Sequence, residues 1–141
     1  MKVSKLMTKA LYTCQSNEFL DRAAQLMWDR DIGALPVVDD KEHLVGVITD
    51  RDVAMAAYLR EEPLRAIPVH VVMAQHVHAC RADDEVSVVE ATMAKYQLHR
   101  IPVIDEGRRP IGMITLNDIA RDAGSEVAST LTAICEPRPV A

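Results

Sequence analysis

The chain repeats itself. Shifting the 141-residue sequence by 66 positions lays one half on the other without a gap. Met7 then falls on Met73, Cys14 on Cys80, Met27 on Met93, Pro36 on Pro102 and Val37 on Val103. Asp39 falls on Asp105, Gly46 on Gly112, Ile48 on Ile114, Thr49 on Thr115 and Asp52 on Asp118. Conservative pairs lie between them: Leu20/Val86, Leu35/Ile101, Val45/Ile111 and Val53/Ile119. Ten identities in one register, clustered at the ends of apolar runs, mark a duplication, and a fixed period narrows the fold more than any single motif. The similar halves cover roughly residues 3–60 and 69–125. We therefore divide the chain into repeat 1 (1–65), repeat 2 (66–125) and a C-terminal helix with its tail (126–141). Residues 61–68 hold Pro63, Pro68 and charged side chains, which suits a linker.

Both repeats predict the same order of elements. A short β-prone segment comes first, at Leu11–Cys14 and Val77–Cys80. A helix follows. In repeat 1 Leu20, Ala23, Ala24 and Met27 share one apolar face, and in repeat 2 Ser87-Val88-Val89-Glu90 reads as a capping box. Apolar strands are expected at Ala34–Val38 and Ile101–Ile104. Turns at 39–42 and 105–107 lead to strands Leu44–Thr49 and Ile111–Thr115. A second helix begins at Asp50–Asp52 and at Asn117–Asp118. The fold class is α/β (α+β), two β-α-β-β-α repeats. About 60 residues bury too little surface to stand alone, so the copies are expected to pack about a pseudo-two-fold axis. A last helix, roughly Ser125–Cys135, places Val127, Leu131 and Ile134 on one face and stops before Pro137.

Composition removes several classes of function. Sixteen basic against 21 acidic residues leave a net charge of −5, so no basic face for nucleic acid is expected. Aromatic residues at 4% leave little for base stacking. No apolar run approaches the roughly 18–20 residues of a membrane span. Lys2, Lys5 and Lys9 interrupt the start of the chain, so no signal-peptide core forms. Three irregularly spaced cysteines make no secreted disulfide framework. The expectation is a cytoplasmic domain that engages neither membrane nor nucleic acid.

The segments Asp31-Ile32-Gly33-Ala34-Leu35-Pro36-Val37-Val38-Asp39 and Gly46-Val47-Ile48-Thr49-Asp50-Arg51-Asp52 resemble the strand ends of a cystathionine-β-synthase (CBS) domain. Their counterparts are His99-Arg100-Ile101-Pro102-Val103-Ile104-Asp105 and Gly112-Met113-Ile114-Thr115-Leu116-Asn117-Asp118. The chain resembles a tandem pair of such domains, a Bateman module, over residues 1 to about 124. Its tail, Ala133-Ile134-Cys135-Glu136-Pro137, resembles that of small stand-alone pairs of the hypoxic-response type. The resemblance implies a non-catalytic regulatory sensor that binds AMP, ADP, ATP, NAD or S-adenosylmethionine in clefts between the repeats. It also implies a homodimer and a regulated partner, which the sequence does not name. No cofactor is required.

Thr49-Asp50-Arg51-Asp52 and Thr115-Leu116-Asn117-Asp118 carry the chemistry. Each falls where a strand runs into a helix, where a phosphate meets free N–H groups and the positive end of the helix dipole. The Thr hydroxyl can donate to phosphate, and the Asp carboxylate can accept from both hydroxyls of a ribose. The same spacing equally makes a plain capping box. The resemblance places the segments before Pro36 and Pro102 beside the adenine or the phosphates. Gly33 would let a flat ring approach, or would end the preceding helix, and Ile32 would wall the slot. One cleft would gather Thr115, Asp118, His99 and Arg100 with Ile32 and Gly33, and is favoured for a mono- or diphosphate because Arg forks onto phosphate. The other would gather Thr49, Asp52 and Arg51, whose repeat counterpart is Asn117.

A second reading is a metal- or redox-responsive interaction protein. If 76–80 is a strand, His76, His78 and Cys80 share a face and could hold Zn²⁺. The alternative is ordinary packed or solvent-facing side chains. Cys14 and Cys80, being repeat mates, could approach each other, though two small buried hydrophobes explain them as well. No nucleophile triad, Walker loop or paired-carboxylate pattern is present, so no enzyme is expected.

Overall fold

A computed structural model describes residues 1–122 and 127–135. The elements, in chain order, are helix α1 (Val3–Leu6), strand β1 (Cys14–Gln15), helix α2 (Leu20–Arg30) and strands β2 (Ala34–Val38) and β3 (Leu44–Thr49). Helix α3 (Asp50–Arg60), a 3-10 turn (Leu64–Ala66), helix α4 (Val69–Val72) and strand β4 (Cys80–Arg81) follow. Helix α5 (Val86–Tyr96), strands β5 (Arg100–Ile104) and β6 (Pro110–Thr115), and helices α6 (Leu116–Asp122) and α7 (Val127–Cys135) complete the order. The class is the expected mixed α/β one. Two three-stranded sheets form, ordered β1-β2-β3 and β4-β5-β6. In each, a two-residue strand lies parallel to the next, with Cys14 opposite Val37 and Cys80 opposite Val103.

The compact units cross the repeat boundary. One, the repeat-1 unit, comprises Tyr12–Val77 with Glu106–Pro110; the other, the repeat-2 unit, comprises Met1–Leu11, His78–Asp105 and the described chain from Ile111 onward. The repeat-2 unit is completed by the start of the chain. Val3 N donates to Asp84 O and Ser4 N to Ala82 O, both at 2.9 Å, while Thr8 and Met113 exchange backbone hydrogen bonds of 2.8 and 3.0 Å. The repeat-1 unit is completed in the same way by the segment before repeat 2. Val69 N donates to Glu18 O (2.8 Å) and His70 N to Ser16 O (3.1 Å), and Ala74 pairs with Val47 (3.0 and 3.1 Å). Every one of these partners is related to its counterpart by the 66-residue shift.

The shared Gly46 and Gly112 follow from this arrangement. A Cβ on Gly46 would sit 2.5 Å from Met73 Sδ and 2.9 Å from the Ala74 carbonyl, and one on Gly112 would sit 2.9 Å from the Thr8 carbonyl. The shared Met7 and Met73 are the side chains that lie over those glycines. Each unit closes on its own apolar core. Leu20, Leu35, Ile48 and Ile67 anchor one; Val3, Met93, Ile101, Ile114 and Ile119 anchor the other.

Several expectations are corrected. The segment 61–68 is no loose linker, since Ile67 is fully buried and its carbonyl accepts from Leu20 N at 2.9 Å. Strands β1 and β4 are shorter and begin at Cys14 and Cys80, three residues later than expected. The Ser87 capping box does not form, because α5 begins at Val86 with Glu85 at its N-cap. Glu85 turns instead to Lys2 Nζ (2.8 Å) and the terminal amine (2.9 Å). These cations, Lys2 first, hold its carboxyl at about 2. Helix α7 runs from Val127 to Cys135 with Ile134 buried. The expected start at Ser125 and the Glu136-Pro137 end lie outside the described residues.

Candidate functional site

The same capped junction is built twice. In the repeat-1 unit, Thr49 caps α3: its hydroxyl accepts from Asp52 N (3.1 Å), and Asp52 Oδ2 accepts from Thr49 N (2.9 Å). Asp50 N, at the first turn, donates to the Gly33 carbonyl at 2.9 Å. That bond ties Ile32-Gly33 to the helix start of their own repeat, beside exposed Arg51, whereas the sequence grouped them with Thr115 and Asp118. In the repeat-2 unit, Asp118 N donates to Thr115 Oγ1 (3.2 Å), and Asp118 Oδ2 accepts from Thr115 N and Oγ1, both at 2.9 Å. Leu116 N donates to the His99 carbonyl at 2.8 Å, bringing His99 and the neighbouring Arg100, both exposed, to that helix start. The capping reading of Thr-x-x-Asp therefore holds in both repeats. The residue in the left-handed conformation that ends α2 is Asp31 (φ 53°), so Gly33 is not the helix-ending residue.

The two junctions differ in two bonds, the Thr115 hydroxyl's to Asp118 Oδ2 and one from Arg121 that sequence reasoning missed. Arg121 Nη2 reaches Asp118 Oδ1 at 3.1 Å, the carboxylate 9% and the guanidinium 76% exposed. Both Asp118 oxygens are thus engaged. The repeat counterpart of Arg121 is Met55, which cannot do the same for Asp52. The signal lay in that unmatched pair, one turn beyond the motif.

The proposed metal ligands are not brought together. Among the described residues no group of three or more His, Cys, Asp or Glu is placed to hold a metal ion. The strand expected to align them begins only at Cys80, so His76 and His78 lie outside it and the alternation fails. The His78 ring stacks on Tyr96, centroids 3.9 Å apart. Cys80 is buried, as is Cys14, and burial pushes both thiols up to about 12. A thiolate ligand or nucleophile there would carry the cost of that desolvation.

A cavity of about 270 Å³ opens beside the repeat-1 junction, lined by Ala24, Met27, Trp28, Asp31, Ile32, Asp50 and Val53. Ile32 forms one wall of this cavity. Trp28, which no sequence argument singled out, is 87% exposed there. Among the described residues no helix is long and apolar enough to cross a membrane.

Comparison with known proteins adds to this geometry. A family model for the CBS domain matches residues 3–59 and 64–124. The L-aspartate semialdehyde sulfurtransferase of Methanocaldococcus jannaschii is 32% identical over 124 residues, 88% of this chain but only 23% of that protein. The chain spans about a quarter of the length of the first curated relatives it matches. Hypoxic response protein 1 of Mycobacterium tuberculosis is 30% identical over 143 residues, covering 100% of this chain and 99% of its own. A crystallised CBS domain pair in complex with 5′-methylthioadenosine and S-adenosyl-L-methionine matches with TM-score 0.79 and 31% identity, covering 89% of this chain and 98% of its own. Hypoxic Response Protein I with two coordinated zinc ions matches with TM-score 0.78 and 29% identity, over 86% and 98%.

Proposed function

The chain belongs to the CBS domain family, as a tandem pair, and from that premise we propose that it is a non-catalytic regulatory module that binds an adenosine-type ligand at its Thr-x-x-Asp junctions. The observation that carries this reading is the recurrence of one junction in both repeats. A capped helix start is tied by its first amide to the backbone carbonyl of residue 33 or 99. A cap alone accepts many residue types. The retention of Thr and Asp at both, with a strand end and a bound carbonyl in the same register, favours a shared ligand.

In this reading Thr49 and Thr115 donate to phosphate, and Asp52 and Asp118 accept from ribose hydroxyls. The helix-start amides add the positive end of the dipole. The repeat-2 junction, with His99, Arg100 and Arg121, takes a mono- or diphosphate ligand. At the repeat-1 junction Ile32 and Gly33 meet the base, and Arg51 supplies the cation. The complex of a related pair with 5′-methylthioadenosine and S-adenosyl-L-methionine supports the ligand class. The enzyme names among the relatives belong to proteins of which this chain matches about a quarter, and no reaction is carried over from them. A homodimer and a cytoplasmic setting, where buried free thiols stay reduced, complete the proposal; the regulated protein is not identified.

Thermal melting against AMP, ADP, ATP, NAD and S-adenosylmethionine tests it. A ligand at 100 times its Kd adds about 2.7 kcal/mol of stability. Asp52→Asn and Asp118→Asn keep a cap acceptor but lose the charge, and each should weaken binding at its own junction by about tenfold or more. Unchanged affinity in both variants would sink the assignment. Sedimentation of the free protein checks the dimer.

A zinc-responsive protein is the second reading, favoured by the two zinc ions in the related Hypoxic Response Protein I. His76, His78 and Cys80 do not form a three-ligand group within the described chain. Zinc uptake through them would need a further ligand from elsewhere. Melting against Zn²⁺ alone separates the two readings.

A further inference from the structure

The two junctions share a cap and differ in how much of the aspartate that cap leaves over. In the repeat-1 unit, among the described residues, the Asp52 carboxylate bonds only to Thr49 N, through Oδ2 at 2.9 Å. In the repeat-2 unit the Asp118 carboxylate is taken on both sides. Its Oδ2 accepts from Thr115 N and Oγ1, both at 2.9 Å. Its Oδ1 accepts from Arg121 Nη2 at 3.1 Å. Arg121 Nε also donates to the Asn117 carbonyl at 3.3 Å, so the guanidinium lies flat against the turn that carries Asp118. Residues three and four apart are neighbours on a helix, which is why position 121 reaches both. The repeat counterpart of Arg121 is Met55, which has no donor to give Asp52.

That difference bears on which ligand each junction can take. For ribose hydroxyls to reach Asp118 Oδ1, Arg121 must first leave it. The guanidinium is 76% exposed, so the pair resists by a factor of up to about five and no more. Where the freed cation goes then decides the balance. A neutral nucleoside offers it no partner, and the whole cost of the lost pair falls on binding. A phosphate does offer one, because Arg forks onto its oxygens with charge-assisted bonds. His99 and Arg100 are exposed beside the same helix start, held there through the His99 carbonyl, and they favour an anion too. We propose that Arg121 determines ligand choice at the repeat-2 junction: its pair with Asp118 closes the ribose acceptor to neutral nucleosides, and a nucleotide opens it by drawing the guanidinium onto its phosphate. The proposal rests on the junction reading above, and it confines the demand for phosphate to one junction of the two.

Calorimetric titration of the full chain with AMP and with adenosine tests it, in an Asp52→Asn background that weakens the other junction. AMP should bind the more tightly. Arg121→Met installs the repeat-1 residue, and Met is a good helix former at an exposed position, so that variant keeps its fold. It should weaken AMP by about tenfold, the loss of a bond to a charged group, and tighten adenosine by about threefold, the release of the pair. Arg121→Lys keeps the charge without the fork and should retain part of the preference for AMP. A residue that only braced the helix would change both affinities by the same factor, and that result overturns the proposal. So does weaker AMP binding with adenosine unchanged, since Arg121 would then touch phosphate without closing Asp118. If neither ligand binds the wild-type chain, the junction reading falls and this proposal with it. If both bind and Arg121→Met leaves their ratio alone, the junction stands and Arg121 plays no part in the choice.

Discussion

Glu85 shows how much one exposed side chain can organise. It sits where a helix cap is wanted, yet Lys2 and the terminal amine take its carboxylate. Its carboxyl titrates at about 2 against an ordinary 4.5. The sign follows from that lowering. The contribution is fully present above about pH 4.5 and is lost as pH falls toward 2. Wild type should therefore melt above Glu85→Gln at pH 7, and the gap should close by about pH 2. Added salt should shrink the gap at neutral pH, because the pair is exposed. A gap that is constant across pH would show that the pair does not hold α1 to α5. Gly46 is a second such residue. Met73 could swing from an added methyl, but the Ala74 carbonyl is fixed by its hydrogen bond from Val47 N (3.1 Å). Gly46→Ala should cost about 1–3 kcal/mol in urea unfolding, the range of overpacking in a filled site. A neutral result would mean that the completing segment is free to move.

At the scale of elements, hydrophobic period carried most of the reading. Helix α2 and strands β2 and β3 lie where their apolar patterns put them, because those patterns face a core. Helices α1 and α4 were invisible: four residues make one turn and cannot display a period. They are exact repeat mates nonetheless, Val3–Leu6 and Val69–Val72. Their signal was the paired Met7 and Met73 just beyond. Pro63 and Pro68 hid the weight of Ile67 in the same way, since two prolines read as a connection. Ile67 is fully buried in the repeat-1 core. Ile67→Ala should lower stability by about 2–5 kcal/mol, as truncation of a core isoleucine does. A surface-like effect below about 0.5 kcal/mol in chemical denaturation would return this segment to the status of a linker. Of the site, the Thr and Asp positions were legible because they recur. Arg121 and Trp28 were not, because each is a point where the repeats differ, at Met55 and Ala94, and a repeat draws attention to what agrees.

For the whole molecule, the consequence of duplication is an exchange of completing segments. A repeat cut at its sequence boundary is not a compact unit. Residues 1–65 contain α2, α3 and the first sheet but lack Ile67 and Val69, both fully buried in that unit. They also lack the Ala74 strand partner of Val47 and carry instead a segment, 1–11, whose backbone bonds belong with residues 82–113. Residues 12–77 hold all of those partners. The two fragments have nearly the same length and the same central elements, so size and propensity predict equal behaviour. The hydrogen-bond pattern predicts otherwise. Fragment 12–77 should show native-like amide dispersion and a cooperative, if shallow, urea transition. Fragment 1–65 should show little dispersion and bind a hydrophobic dye. If instead 1–65 were the better folded of the two, the segments would be interchangeable, with residues 1–11 able to serve either unit. The exchange would then be a result of chain order alone and not of the complementarity that places Met73 over Gly46 and Met7 over Gly112.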